Sequence, residues 1–347
     1  MPEEWNKMAR KPGKISISSI AKELNLSPST VSRVMNNRTG AGEETRRKVL
    51  EVLRKYDFKT NYPRPRSRKI AIVSGISAIS EYSAAVISGI CGYVRRSDLS
   101  ACMIQYDANN GESLLSTLRD QQCAGVILLI PASFREQLPE LSASGLPVML
   151  VDESVELPNV GFIDNDSYSG SFQAAEHLLS LGHRAIGYLN QNATLNHLQR
   201  FRAWRDALEQ SGIRIPPEWS CEFGGGGAEE GFRKMNELLD AAPEITAVMA
   251  TNDQIAWGAA RAALRRGLRI PQDLSVVGFD DYPASAFWNP PLTTVCHPME
   301  EAGRLAARAL DRYFCSNGKE ALPKQLLQTH LIVRESTGPR PGEPSFR

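Results

Sequence analysis

Six polar side chains lie close together near the start of the chain: Ser27, Ser29, Thr30, Ser32, Arg33 and Asn36. Val31, Val34 and Met35 interleave with them at helical spacing, so hydroxyls, a guanidinium and an amide share the face opposite an apolar one. Hydroxyls there hold phosphates or base edges, and an Arg fork donates in pairs to guanine. The bland reading is a small helical hairpin with a solvated face. Other chemistry finds less support. Asp280 and Asp281 form an acid pair, but neighbours on one strand point to opposite faces rather than converging on a bond. The glycine run 224–227 invites an anion-cradling reading, yet it lacks a G-K-[ST] ending and does not open directly from an apolar strand as G-x-G-x-x-G would. His177, His183, His197, His297 and His330 lack metal-ligand spacing, and no G-x-S-x-G occurs. His183, in an L-G-H-R turn, reads as structural. No catalytic residue, metal or cofactor is therefore expected.

The charge distribution strengthens the first reading. The net charge is only +1, but residues 1–69 carry 17 Lys and Arg against 7 Asp and Glu, whereas residues 70–347 carry 23 against 32. A surplus of ten positive charges in so short a stretch is the footprint of a polyanion binder. The six cysteines are scattered without a C-x-x-C, so each reads as a buried small hydrophobe in a reducing cytoplasm. No signal peptide and no membrane span are legible; the apolar run at 125–130 is only strand-sized.

The elements that must position these groups follow from periodicity. Residues 1–14 are polar and aperiodic, a flexible arm. Residues 15–58 hold three helical patterns: Ile17, Ile20, Ala21 and Leu24; then Val31, Val34 and Met35; then Val49, Leu50, Val52, Leu53 and Tyr56. Asn25 sits in the turn between the first two, where a left-handed conformation is tolerated, and Ser27-Pro28 reads as a helix N-cap followed by a favourable first residue. Residues 59–69, with Pro63, Pro65 and five basic side chains, form a linker. From residue 70 onward apolar strand-like runs at 70–73, 101–104, 126–130, 148–151, 185–189, 247–250 and 275–279 alternate with helical segments. That alternation predicts parallel sheets covered on both faces, and about 270 residues make two α/β lobes with a cleft between them the natural arrangement. The fold class is thus an all-α helix-turn-helix head joined to a two-lobed α/β domain, with a C-terminal tail over 336–347.

The segment S-P-S-T-V-S-R-V-M-N (27–36) closely resembles the recognition helix of the LacI/GalR family of bacterial transcriptional regulators. The resemblance continues through E-T-R-R-K-V-L-E-V-L (44–53), V-D-E (151–153), E-H-L-L-S-L-G-H-R-A-I-G-Y-L (176–189), A-T-N-D-Q-I-A-W-G (250–258), S-V-V-G-F-D-D (275–281) and P-P-L-T-T-V (290–295). It implies a periplasmic-binding-protein-like sensor whose N-lobe takes residues 70–163 and 296–325, and whose C-lobe takes 164–295 and 326–335. It also implies effector contacts at Glu81, Tyr82, Asp152, Asn196, Arg200, Asn252 and Asp280. An Arg fork holds neighbouring hydroxyls or a carboxylate, and Asp and Asn accept hydroxyl protons, so a sugar or sugar derivative is the expected ligand. Tyr82, Trp257 or Trp288 could offer a ring face, although the two tryptophans read more readily as packing residues. Two departures stand out. Gly226 occupies the place where several relatives carry a stacking aromatic. The linker reads NYPRPRSRK, without the leucine that relatives wedge into the minor groove. Arg64, Arg66, Arg68 and Lys69 are then expected as phosphate contacts of an extended tether.

The expected function is that of a cytoplasmic, homodimeric regulator, in sense a repressor, which reads a roughly palindromic operator in double-stranded DNA under control of a small molecule. A solute-binding protein is disfavoured by the basic N-terminal unit, and a carbohydrate-active enzyme rests on Asp280 and Asp281 alone. A regulator answering to a partner protein stays within the same class.

Overall fold

Asn25 adopts φ 55°, the left-handed turn that lets two short helices reverse on each other. The computed structural model describes residues 17–35, 68–75, 80–107, 113–129 and 131–342, with single positions 42, 44, 45, 48, 49 and 52. The arm 1–14, most of the third helical pattern, Asn36, and the linker with Arg64 and Arg66 lie outside the described residues. Helix α1 is Ile17–Glu23 and α2 is Pro28–Met35. Ile20, Ala21, Val31, Val34 and Val49 are buried together. Ala21 has no bulk beyond Cβ, which lets α1 and α2 cross closely.

The rest of the described chain builds two six-stranded sheets. The N-lobe contains β1 (Lys69–Gly75), α3 (Glu81–Val94), β2 (Ser100–Tyr106), α4 (Leu114–Asp120), β3 (Gly125–Leu129), α5 (Leu138–Ala143), β4 (Val148–Val151) and β5 (Val160–Asn165). The C-lobe contains α6 (Ser167–Ser180), β6 (Ile186–Gln191), α7 (Leu195–Gln210), β7 (Ser220–Phe223), α8 (Ala228–Ala241), β8 (Ala247–Ala250), α9 (Asp253–Arg265), β9 (Ser275–Asp280) and β10 (Thr293–Cys296). The chain then returns through α10 (Met299–Cys315), packed on α3, and β11 (Lys324–Leu327) to the N-lobe sheet. It ends in the C-lobe at β12 (His330–Ile332). The strand orders are β11-β5-β4-β3-β1-β2 and β12-β10-β9-β8-β6-β7. All pairings are parallel except β12 against β10. Helices on both faces exclude water from the central strands, so β3 (GVILL) and β4 (VMLV) are continuously apolar rather than alternating.

Several boundaries differ from the sequence-based expectation: Lys69 opens β1, and Asp164 and Asn165 end β5 in the N-lobe. Cys296 belongs to the C-lobe, paired with Asp280, and Leu326 and Leu327 belong to the N-lobe, paired with Asp164 and Asn165. Residues 336–340 are not a tail. Ser336 donates to Val276 O at 2.6 Å, the Arg340 amide donates to Leu181 O, and buried His183 lies 3.0 Å from Gly338 O. Backbone pairing continues there because the buried Val276 amide of β9, which solvent cannot reach, donates to Ser336 O at 2.9 Å. The cysteines also depart from expectation: only Cys123 is buried, and Cys91 and Cys315 are exposed. No described helix is long and apolar enough to cross a membrane.

Candidate functional site

Ser27 starts α2 by accepting the Thr30 amide at 3.1 Å, satisfying one of the orphan donors of the first turn. Its hydroxyl lies 2.7 Å from Ser29 Oγ and 2.8 Å from Thr30 Oγ1. A cluster of three hydroxyls is thereby gathered at the helix N-terminus, where backbone N–H groups favour anions. Val31 and Val34 are buried, while Ser29 and Arg33 are exposed and Ser32 is half-buried. The apolar side anchors the helix and the polar side is presented outward.

The second constellation lies between the lobes. Asp152 follows β4 with φ 69°, and Asp280 ends β9 with φ 116°. Both non-glycine residues occupy left-handed backbone at strand carboxyl ends, the sort of strain that persists where surrounding contacts over-determine it. Arg200, on α7, is nearly fully buried. Its Nε donates to Ser167 Oγ at 3.2 Å, its Nη1 donates to Thr251 O at 2.8 Å and lies 3.6 Å from Asp280 Oδ1, and its guanidinium stands 3.6 Å from the Phe279 ring centroid. Asn196, one turn earlier, donates through Nδ2 to Asp152 Oδ1 at 3.1 Å and to Asp164 Oδ1 at 2.9 Å, so it ties the C-lobe helix to two N-lobe carboxylates.

Sequence reasoning does not single out His297 as a cleft residue. It sits on the crossover between β10 and α10, with Nε2 3.3 Å from Asp152 Oδ1 and Nδ1 3.6 Å from Asp280 Oδ1. A closed polar circuit results. It runs from Arg200 to Asp280, His297 and Asp152, then through Asn165, which donates to Asp152, and Ser167, which donates to Asn165 Oδ1 at 2.6 Å, back to Arg200. Two of its links lie on interlobe crossovers. Asn165 and Ser167 flank the first, a placement visible only once β5 is seen to run out of the N-lobe. The one sequence signal for His297 is its position directly after the P-P-L-T-T-V strand.

Burial dominates the electrostatics. It pushes the Asp152 carboxyl up to about 6, with Asp164 and Asp280 adding to the shift and His297 and Arg200 opposing it. The Tyr82 phenol is raised well above its usual range by burial and by the same three carboxylates. Burial and the Arg200 charge depress His197 to about 3. Asp253, beneath the site, is raised to about 7 by burial and by Asp280.

The remaining expected contacts divide. Glu81 begins α3 and accepts from Gln254 Nε2 across the cleft at 3.4 Å. Tyr82 packs its ring 5.8 Å from His297, and its buried hydroxyl has no hydrogen-bond partner among the described residues. Asn252 stays outside the circuit: it caps α9 by accepting the Ile255 amide and donates to Gln191 Oε1 at 3.0 Å. Trp257 and Trp288 stack on each other at 5.7 Å. The adjacent acids diverge, Asp281 pairing with Arg334 at 2.6 Å. Arg68 and Lys69, expected as phosphate contacts of the linker, are here fastened to the N-lobe. Lys69 opens β1 and donates to Gln121 O at 3.0 Å, and Arg68 lies 3.6 Å from Asp311. Strand pairing reaches one residue beyond the apolar run, because backbone hydrogen bonding does not require an apolar side chain.

Two family models match the chain: the lacI family of bacterial regulatory proteins over residues 16–61, and a periplasmic binding protein-like domain over residues 175–337. The chain is 30% identical over 342 residues to the HTH-type transcriptional regulator DegA of Bacillus subtilis, covering 94% of this chain and 99% of that one. Among solved structures it resembles the transcriptional regulator CelR in complex with cellobiose, with TM-score 0.71, 26% identity and coverage of 93% and 100%. It also resembles a LacI family regulator from Enterococcus faecium with bound ribose, with TM-score 0.69, 25% identity and coverage of 78% and 99%. With a capped helix-turn-helix ahead of two crossover-linked α/β lobes and a relative matched end to end, the chain belongs to the lacI family of bacterial regulatory proteins.

Proposed function

We propose that the protein is a homodimeric repressor that binds a roughly palindromic DNA operator and is controlled by a sugar or sugar derivative held between its lobes. The observation that carries the ligand reading is the convergence of Asp152, Asn196, Arg200 and Asp280 from opposite lobes into one buried polar cluster at strand carboxyl ends. Cellobiose and ribose in the resembling regulators support a carbohydrate. Ser27, Ser29, Thr30, Ser32, Arg33 and Asn36 are assigned to DNA, and Glu81, Tyr82, Asp152, Asn196, Arg200, Asn252 and Asp280 to the effector.

The test is operator binding by the full chain, on a sequence obtained by selection from random DNA, with and without ribose and cellobiose. An effector identified this way is expected to change operator affinity. Arg200→Ala and Asp280→Ala are expected to abolish that response while retaining operator binding without ligand. The cost is that of unpairing a buried polar group, about 1–3 kcal/mol and more for a charge. Wild-type ligand affinity in both variants rejects this cleft.

A further inference from the structure

Two thiols meet where the N-lobe sheet begins. Cys102 stands on β2 in register with Ala71 of β1, and Cys123 lies in the turn that leads from α4 into β3. Both pack on the apolar cluster that contains Ala71, Val73, Val126 and Leu128. Their sulfurs are 3.7 Å apart, in contact and without a bond between them. An S–S bond is about 2.05 Å long, so closure needs only a small side-chain movement. Access to solvent differs: Cys123 is buried, whereas Cys102 is half-buried. Burial and the neighbouring Cys102 push the Cys123 thiol up to about 12, with the Lys69 ammonium opposing. Among the described residues no third His, Cys, Asp or Glu joins the two in a group that could hold a metal. The same two segments grip the first residues after the linker. The Ser100 amide of β2 donates to Arg68 O at 3.2 Å, and the Ala124 amide, next to Cys123, donates to Lys69 O at 2.6 Å.

We propose that Cys102 and Cys123 are a redox-modification site, a dithiol that a peroxide converts reversibly to a disulfide. Cys102, the thiol with solvent access, attacks one peroxide oxygen as the thiolate. The O–O bond breaks, Cys102 becomes a sulfenic acid, and water or an alcohol is released. The Cys123 sulfur then attacks the Cys102 sulfur: the S–S bond forms, the S–O bond breaks, and the Cys123 proton leaves with the hydroxyl as water. The two sulfurs supply the two electrons that reduce the peroxide, and a dithiol reductant returns them. Cys123 is enclosed and stays protonated, so it is spared direct oxidation and acts as the resolving thiol. The bond spans 21 positions of chain and joins β2 to the β3 turn over the start of β1. It therefore locks the two backbone grips on Arg68 and Lys69, at the root of the linker.

The experiment uses the full chain, reduced, desalted and exposed to hydrogen peroxide. Remaining thiols are capped with N-ethylmaleimide, and peptides are mapped by mass spectrometry. A linked pair of peptides carrying Cys102 and Cys123 is expected, and it should disappear on treatment with dithiothreitol. Hydrogen exchange gives the second readout. The Ser100 and Ala124 amides should exchange severalfold more slowly in the oxidised protein than in the reduced one. Cys102→Ala and Cys123→Ala each keep one thiol of the pair and should show no such slowing under peroxide. In Cys123→Ala the Cys102 thiol, left without its resolving partner, should advance to the sulfinic acid. The mapping needs only the wild-type chain, so it decides even where a variant does not fold. Three results overturn the inference: Cys102 passing to the sulfinic acid in wild type while Cys123 remains a thiol, a linkage that forms only after urea has unfolded the chain, or a linkage that leaves the two amides exchanging as fast as before.

Discussion

Asp253 carries a carboxyl that folding removes from water almost entirely. It accepts the Tyr282 amide at 2.9 Å, Ser285 Oγ at 2.6 Å and Thr294 Oγ1 at 2.5 Å, yet burial still raises it to about 7. A folded-state value above the unfolded one means that its contribution to stability is fully present below about pH 4 and is lost as pH rises toward 7. Asp253→Asn removes this proton. The stability difference between wild type and variant is expected to fall with pH between 4 and 7, by up to about 1.4 kcal/mol per pH unit. Urea unfolding at four pH values measures it, and parallel curves for the two proteins would count against the assignment. Arg33 belongs to the same scale. Its exposed position on α2, away from the buried Val31 and Val34, fits a base contact. Arg33→Ala is expected to weaken operator binding by about 1–3 kcal/mol and to relax preference at one base pair. Binding to operator variants at every position decides it; an unchanged specificity profile reduces Arg33 to a phosphate contact or a surface charge.

Between elements, the packing of α3 on α10 sets the shape of the N-lobe beside the second crossover. Gly303 and Gly89 allow it: a Cβ on Gly303 would lie 2.0 Å from Val86 O, and one on Gly89 would lie 1.8 Å from Glu300 O. Backbone cannot yield as a side chain does, so Gly303→Ala must separate the helices. A loss of about 1–3 kcal/mol or more is expected, seen as a lower denaturant midpoint. Gly92, on α3, would meet nothing within 4 Å. Gly92→Ala should therefore gain about 0.5–1 kcal/mol from helix propensity alone. Opposite signs for two glycines of one helix pair are the diagnostic; equal losses would mean that the close approach is not what limits substitution.

Over the whole molecule, the fastening of Arg68 and Lys69 to the N-lobe shortens the basic tether to its earlier residues. Neutralising Arg64 and Arg66 is expected to lower the salt slope of DNA binding, for operator and random DNA alike. The decrease is up to about 0.9 for each phosphate that the variant leaves unneutralised. Neutralising Arg68 and Lys69 should leave that slope unchanged and instead lower the unfolding temperature of the sensor. With two prolines and no wedging leucine in the linker, DNA bending should be weak. A strong kink at the operator centre, or equal slope changes from both pairs, would show that the linker grips DNA along its full length.

The sequence by itself determined the elements and the class of protein. Periodicity, the Ser27-Pro28 cap, the Asn25 turn and the apolar runs of β1, β3, β4, β8 and β9 are local consequences of side-chain chemistry, and they need no partner to be legible. The strands left unseen are informative. β5 ends in Asp164 and Asn165 because its carboxyl end lines the cleft, and β7, β11 and β12 are short edge strands whose polar residues face water. Asp152, Asn196, Arg200 and Asp280 were legible only as what the resemblance to the LacI/GalR family implies. Only the tertiary structure decided that Asp164, Asn165, Ser167 and His297 join them, since these residues come from two crossovers about 130 residues apart, brought together by the lobes. Partnership also turned on folding. Arg68 and Lys69 were charges in a basic run until strand pairing carried them onto the N-lobe, and His297 was one histidine among five until two acids from opposite lobes closed on it. Spacing along a chain fixes which side chains share a face of one element; which faces meet depends on how separately formed cores dock, and that information is not local.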